Sequence, residues 1–356
     1  MLGYAVITLF VITALLVYVE KFMGKYKLPT YLILGTVMIL LAGLREVGID
    51  PDSEMYENFF NSHYQTGTAE SVEFSYLLIS NFIQFFSDDV HTLFLFYALL
   101  GLSLKFIAFR QLSDSWFLPV LIYISYFYIF HEMMQIRTGV LSGLILLSIK
   151  PWAEGNKKLA FVYLLIGLFF HYSALIFFPL LFLDNKELTP KKRIIWASLI
   201  PAGYLFYFVG LSFLLNISTN LPYIGEKLAF YQASTEKGLL SADVNVFSPL
   251  LMFTTFLYFY MLLFHDTIIK YNKYFPLLIK IFALGIFSYT ALSIFPVLAQ
   301  RVNLLMRIVT IILYANISYT IKPKWASYGI IILIAFIYLN YALPCISSKI
   351  FWEPEV

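Results

Sequence analysis

Leu2–Val19, read LGYAVITLFVITALLVYV, is as long as a membrane crossing and carries no charged side chain. Segments of this kind recur to the end of the chain. A bilayer core takes about 20 apolar residues per helix. A backbone facing lipid must satisfy its own hydrogen bonds, so each such segment reads as a helix. The expected crossings are residues 2–19, 28–44, 90–109, 116–130, 133–149, 159–170, 172–183, 194–210, 246–264, 275–295, 302–321 and 328–343. With 60% hydrophobic and 13% charged residues, the chain lacks the polar surface a soluble core needs. The expected fold class is therefore all-α: a polytopic integral membrane protein with roughly ten to twelve transmembrane helices. No loop is long enough to fold alone, which predicts a single transmembrane domain over residues 1–356. The start has no basic region and no small-residue cleavage site, so it reads as a retained span rather than a removable signal. Residues 71–86 mix apolar side chains with Glu73, Asn81 and Gln84. They predict an amphipathic helix lying on the membrane, inside an outer loop at 45–89. A second outer loop is expected at 211–245.

Lysine sets the orientation. Lys21, Lys25 and Lys27, then Lys150, Lys157 and Lys158, then Lys186, Lys191, Lys192 and Arg193, and finally Lys270, Lys273, Lys322 and Lys324 mark cytoplasmic loops. Both termini then lie outside. Basic loops flank residues 159–183 on both sides, and each half of that stretch is too short for a full crossing. The pattern predicts a broken helical hairpin with His171 at its apex.

Arginine does not follow lysine. Of the six arginines, Arg45, Arg137, Arg301 and Arg307 fall at or near the outer ends of spans. A guanidinium grips phosphate oxygens in bidentate fashion and stays charged when partly desolvated. Several at one headgroup level suit a diphosphate. Any one of them alone is equally well explained by pairing with an acid or by snorkelling to headgroups. Arg45 is followed by Asp50 and Tyr56, while Asp52, Glu54 and Glu57 read as a solvated acidic loop. His131, Glu132, Gln135 and Arg137 crowd the start of the span at 133–149. Glu132 and Gln135 suit a polar cluster that ends the span, whereas Arg137 adjoins the apolar run. Gly139, Ser142 and Gly143 behind them permit close helix packing. His171 lies between two apolar runs, where a polar group is costly and more often functional. It titrates near neutrality and suits a general base or a phosphate donor. The site expected from these residues comprises catalytic His171, Asp50 and Arg137 and substrate-binding Arg45, Tyr56, Arg301 and Arg307.

Other chemistries find little support. The acids after Arg45 lack an EF-hand glycine, so no metal is expected. No P-loop, HExxH or GxSxG is present, and no cofactor is expected. The single cysteine, Cys345, excludes an internal disulfide, and a net charge of +3 is too small to suggest nucleic acid.

These outer motifs resemble a known family, the Wzy-type O-antigen and exopolysaccharide polymerases, in particular the EpsG-like branch. The pattern of arginine, glycine, aspartate and tyrosine after an early span is matched by LREVGIDPDSEMY, with Arg45, Gly48, Asp50 and Tyr56. A mid-chain arginine motif is matched by MQIRTG with Arg137, a His-x-Ser-Ala motif by His171, Ser173 and Ala174, and a late arginine by Arg301. Ile49 stands where the family often has threonine, and Thr138-Gly139 where it often has glutamine-alanine. The resemblance covers Arg45 to Arg307. It implies a GT-C-like polymerase architecture in a bacterial inner membrane. The substrate would be undecaprenyl-diphosphate-linked oligosaccharide, joined into O-antigen or exopolysaccharide at the periplasmic face. The implied partners are the lipid bilayer, a chain-length regulator and a flippase. On this reading the arginines stabilise the departing diphosphate, Asp50 or His171 helps remove the acceptor proton, and Tyr223 and Tyr231 stack on sugars.

Three rivals come from neighbouring classes. An O-antigen ligase differs in its acceptor alone. A flippase or exporter needs charges inside several spans, and an acyltransferase needs an acid beside its histidine; neither pattern is apparent in the sequence.

Overall fold

The computed structural model describes residues 2–61, 74–218, 244–293 and 295–347, with backbone alone at 210–218 and 347. Every described element is helical, and no strand occurs among the described residues. Among the described residues, five helical stretches are long and apolar enough to cross a membrane: Leu2–Phe22, Gly24–Gly43, Val90–Leu112, Pro296–Tyr319 and Lys324–Ala342. The protein is an all-helical, multi-pass membrane protein. Contacts gather into two compact units. One holds Met1–Asn185, Lys270–Tyr274 and Ile311–Glu353; the other holds Lys186–Ile269 and Phe275–Thr310.

The first unit begins with α1 (Leu2–Val19) and α2 (Lys27–Gly43). Two short helices follow, α3 (Ser53–Asn61) and α4 (Phe74–Gln84). Then come α5 (Val90–Leu112), α6 (Phe117–Ser125) and α7 (Ile136–Ala153). The expected span at 116–130 stops early, at Ser125, and a π-helical turn, Ile129–Met134, joins α6 to α7. Helix α7 is apolar on nearly every face and nearly every face is buried, as an all-round hydrophobic helix requires. It packs between α5 and α8 (Lys157–Phe170). Gly143 permits this approach, because a Cβ there would lie 2.8 Å from the Leu104 side chain and 3.2 Å from the Gly101 carbonyl.

The chain breaks at His171, which is extended (φ −157°, ψ 129°). The two short apolar halves of the sequence predict this break. The second half is not a straight helix: it is a 3-10 segment, Tyr172–Ile176, followed by the single turn α9 (Phe177–Leu180).

In the second unit, α10 (Pro190–Ser218) packs on α12 (Phe275–Ala291), with Gly203 facing Thr290. Helix α11 (Pro249–Leu263) also meets α12. Helix α13 (Pro296–Met306) approaches α12 at Gly285, where a Cβ would lie 3.0 Å from the Met306 side chain. The stretch expected as one helix over 302–321 is interrupted by a 3-10 turn, Arg307–Val309, before α14 (Thr310–Ala315). Helix α15 (Lys324–Ala342) returns to the first unit and packs on α6. Of the second outer loop, residues 211–218 extend α10; the rest, with Tyr223 and Tyr231, lies outside the described residues.

Candidate functional site

Arg45 stands just beyond the C-terminus of α2, where orphan carbonyls need donors. Its Nη1 donates to the Ala42 carbonyl at 2.6 Å and its Nη2 to the Met133 carbonyl. Its Nε donates to Asp50 Oδ2 at 2.9 Å, and the guanidinium lies 4.1 Å from the centre of the Phe94 ring. The other Asp50 oxygen accepts from the Asp52 and Ser53 amides at 3.1 and 3.0 Å. That bond pattern is an Asx turn, and it launches α3. Gly48 (φ +83°) supplies the left-handed step in this loop, which a side chain would strain. Neither Arg45 nor Asp50 has side-chain exposure. The sequence suggests that they face diphosphate and sugar. In this conformation they are enclosed, and their donors and acceptors hold the loop.

Helix α3 carries Tyr56 inward from this loop. Its ring stacks on Tyr76 of α4 at 5.7 Å, and the Tyr76 hydroxyl donates to the Tyr56 carbonyl at 2.7 Å. Arg137, at the start of α7, places its guanidinium 5.6 Å from the Tyr56 ring centre and 5.8 Å from that of Tyr76. Burial raises the Tyr56 phenol above its ordinary pKa, and Arg137 beside it pulls the value back. Arg137 is half-buried, unlike Arg45. Motifs some ninety residues apart in the sequence thus meet around Tyr56.

Behind this cluster lies a buried ion pair. Lys105, midway along α5, donates to Glu132 Oε1 at 2.5 Å and to the Gly139 carbonyl at 2.6 Å. The Tyr123 hydroxyl donates to the same carboxylate oxygen at 2.5 Å. Both charged side chains are enclosed. Glycine makes the room: a Cβ on Gly101 would lie 2.7 Å from Glu132 Oε2, and one on Gly139 would strike the His131 carbonyl. Glu132 belongs to the π turn, whose Met133 carbonyl receives Arg45. The pair therefore anchors the segment that joins the Arg45 and Arg137 motifs.

His171 is half-buried at the end of α8. Its Nδ1 accepts from the Ser173 amide at 3.1 Å. An Nδ1 that accepts carries no proton, so in the neutral ring Nε2 does. This tautomer makes Nε2 a donor. The preceding residue, Phe170, packs edge-on to Tyr97 at 6.4 Å, and its carbonyl accepts from Ser75 of α4 at 3.5 Å. The break is thereby held against the same aromatic core as Tyr56 and Tyr76.

The EpsG family model matches residues 28–353. The chain belongs to the EpsG family. It is also 21% identical over 339 residues to the amylovoran biosynthesis protein AmsC of Erwinia amylovora, covering 89% of this chain and 86% of that protein. No solved structure matches it.

In this EpsG-family chain, the remaining expected residues belong to the second unit. Arg301 is exposed on α13, and Arg307 is buried in the 3-10 turn that ends it. Among the described residues, no three His, Cys, Asp or Glu side chains gather as a metal site would require. Sequence reasoning missed Lys105, Tyr123 and Tyr76. The signal for Lys105 was available, since a lysine inside an apolar run needs a buried acid within reach. Glu132, read as the polar end of a span, is that acid.

Proposed function

We propose that the protein polymerises lipid-linked oligosaccharide repeat units into an exopolysaccharide or O-antigen at the outer, periplasmic face of the inner membrane. Family membership and the named role of AmsC in amylovoran biosynthesis support a part in making an extracellular polysaccharide. The observation that carries the finer reading is the meeting of Arg137, Tyr56 and the Arg45–Asp50 loop in one unit. In the reaction, an acceptor hydroxyl bonds to the anomeric carbon of the donor and gives its proton to the departing diphosphate. The bond from that carbon to the diphosphate oxygen breaks, and its electron pair leaves with undecaprenyl diphosphate. Arg137, half-buried beside Tyr56, is proposed to offer its guanidinium fork to the developing phosphate charge. His171, with Nε2 as a donor, is proposed to add a second hydrogen bond to the diphosphate. The Arg45–Asp50 pair is proposed to hold Tyr56 and the loop in place for both. Arg301 and Arg307 are proposed as substrate-binding residues of the second unit.

The test is chain extension by the purified protein on lipid-linked oligosaccharide. Wild type should lengthen the glycan without nucleotide. Arg137→Ala should remain folded and lose tenfold or more in rate, since a charge-assisted contact is worth about 1.5–3 kcal/mol. An Arg137→Ala protein working at the wild-type rate would overturn the assignment. Transfer of finished glycan to a different acceptor, without lengthening, would favour the ligase reading.

A further inference from the structure

Helices α2 and α5 part on their outer side to leave a groove of about 490 Å3, lined by Leu32, Gly35, Ile39, Leu99, Ile107 and Arg110 among others. Its floor is closed by Tyr31 and Phe106, whose rings lie 4.5 Å apart and whose hydroxyl and carbonyl are bonded at 2.9 Å. Its rim is apolar and open: Leu32 is 58% exposed, and Leu99 and Ile107 are each 50% exposed. Both helices are long and apolar enough to cross a membrane. A groove on such a pair opens into hydrocarbon, so its natural contents are a lipid chain.

One end of the groove is charged. Arg110 lies in the last turn of α5 and is exposed. Its guanidinium rests 4.4 Å from the Trp116 ring centre, with Lys27 4.3 Å from the same ring. The carboxylate of this corner, Glu20, is already engaged. It pairs with Lys27 at 2.8 Å and accepts from the Ser115 hydroxyl at 2.5 Å and the Trp116 amide at 2.7 Å. Arg110 has no carboxylate within ion-pair distance among the described residues. Lys21 and Lys25 in the adjoining turn add to the positive field, which attracts anionic lipid.

We infer that this groove is a binding site for an anionic phospholipid, with one acyl chain lying between α2 and α5 and the phosphate held by Arg110. The size of the groove suits one acyl chain and is far short of an undecaprenyl chain. A single guanidinium suits a phosphodiester rather than a diphosphate. The site occupies the end of α2 opposite Arg45, so it stands independently of the polymerase reading.

The full chain, reconstituted in nanodiscs of equal parts phosphatidylglycerol and phosphatidylcholine, provides the test. Native mass spectrometry then counts the lipids retained on release. Wild type should keep phosphatidylglycerol over phosphatidylcholine by about tenfold, the worth of one charge-assisted contact. Arg110→Gln should lose that preference. Ile107→Trp, filling the groove, should lose the bound lipid whatever its headgroup; Leu99→Trp is a second plug should the first not fold. An unchanged preference in Arg110→Gln, or lipid retained in a folded plugged variant, would overturn the inference. So would a polyprenyl lipid in wild type that phosphatidylglycerol does not displace.

Discussion

Arg45 and Asp50 form an ion pair at 2.9 Å with no exposed side-chain surface on either partner. Breaking a buried pair by removing one member strands the other charge and costs about 3–5 kcal/mol. Asp50→Asn should therefore lower the unfolding midpoint of the detergent-solubilised protein. Arg45→Lys should do likewise, because an ammonium cannot reach Asp50, the Ala42 carbonyl and the Met133 carbonyl in one fork. Activity per folded molecule should fall less than the yield of folded protein. An Arg45→Lys protein of wild-type stability with no activity would instead put Arg45 on the substrate.

His171 separates two roles by a single substitution. If Nε2 donates to phosphate, glutamine retains a donor, and His171→Gln should keep a measurable share of the chain-extension rate while His171→Ala loses tenfold or more, about 1.5 kcal/mol or above. If the imidazole is the base, both variants should be equally inactive. Rates of the two variants and wild type, measured side by side, decide between them.

The Lys105–Glu132 pair predicts a non-additive result. Lys105→Met alone leaves a buried carboxylate facing hydrocarbon, and should cost about 3–5 kcal/mol. Adding Glu132→Leu should recover much of this loss, leaving the Tyr123 hydroxyl orphaned at about 1–3 kcal/mol. A double mutant less stable than Lys105→Met would show that the carboxylate matters without its lysine. Thermal unfolding of all three proteins measures the coupling.

Asp89 gives a pH dependence. It caps α5, accepting from the His91 amide at 2.9 Å and facing His91 Nδ1 at 2.7 Å. Those bonds hold its carboxyl below the ordinary aspartate value. A depressed folded pKa means the unfolded chain binds the proton first. The stabilisation is present above about pH 3.9, the unperturbed value, and is lost as pH falls through the folded one. Asp89→Asn should lower stability at neutral pH and flatten the acid side of the stability curve. Unfolding midpoints of the two proteins across pH 3 to 7 check the sign; an unaltered acid limb would remove Asp89 from the account.

Much of the fold is legible because the bilayer leaves few options. Residues 2–19 and the helix after Lys27 follow directly from apolar length, and the break at His171 from two halves too short to cross. The interruption at Arg307 is not legible, because Arg307-Ile308-Val309 is as apolar around its arginine as its flanks. The meeting of Arg137 with Tyr56 is only half legible: both residues stand out as polar groups near span ends, but their partnership depends on how α3 folds back on α7. Arg45 stands out for the same reason, yet its enclosure does not. Whether a guanidinium points at a ligand or at its own helix end is decided by the neighbours, here Met133 and Phe94, which lie far off in sequence. Lys105 was hidden by the averaging that finds spans, since one lysine barely dents a long apolar window.

The π turn at Ile129–Met134 fits one residue more into its arc than an α-helix would. Winding the same residues at ordinary α pitch would instead turn α7 by roughly 100° against α6. Arg137 would swing off Tyr56, and Gly139 and Gly143 would rotate away from α5, while a hydropathy plot of the sequence stayed the same. The pitch of this segment is therefore a phase setting. A functional relative one residue shorter here should cover the same arc with an ordinary α turn, so a deletion at this point should be borne better than one inside α7.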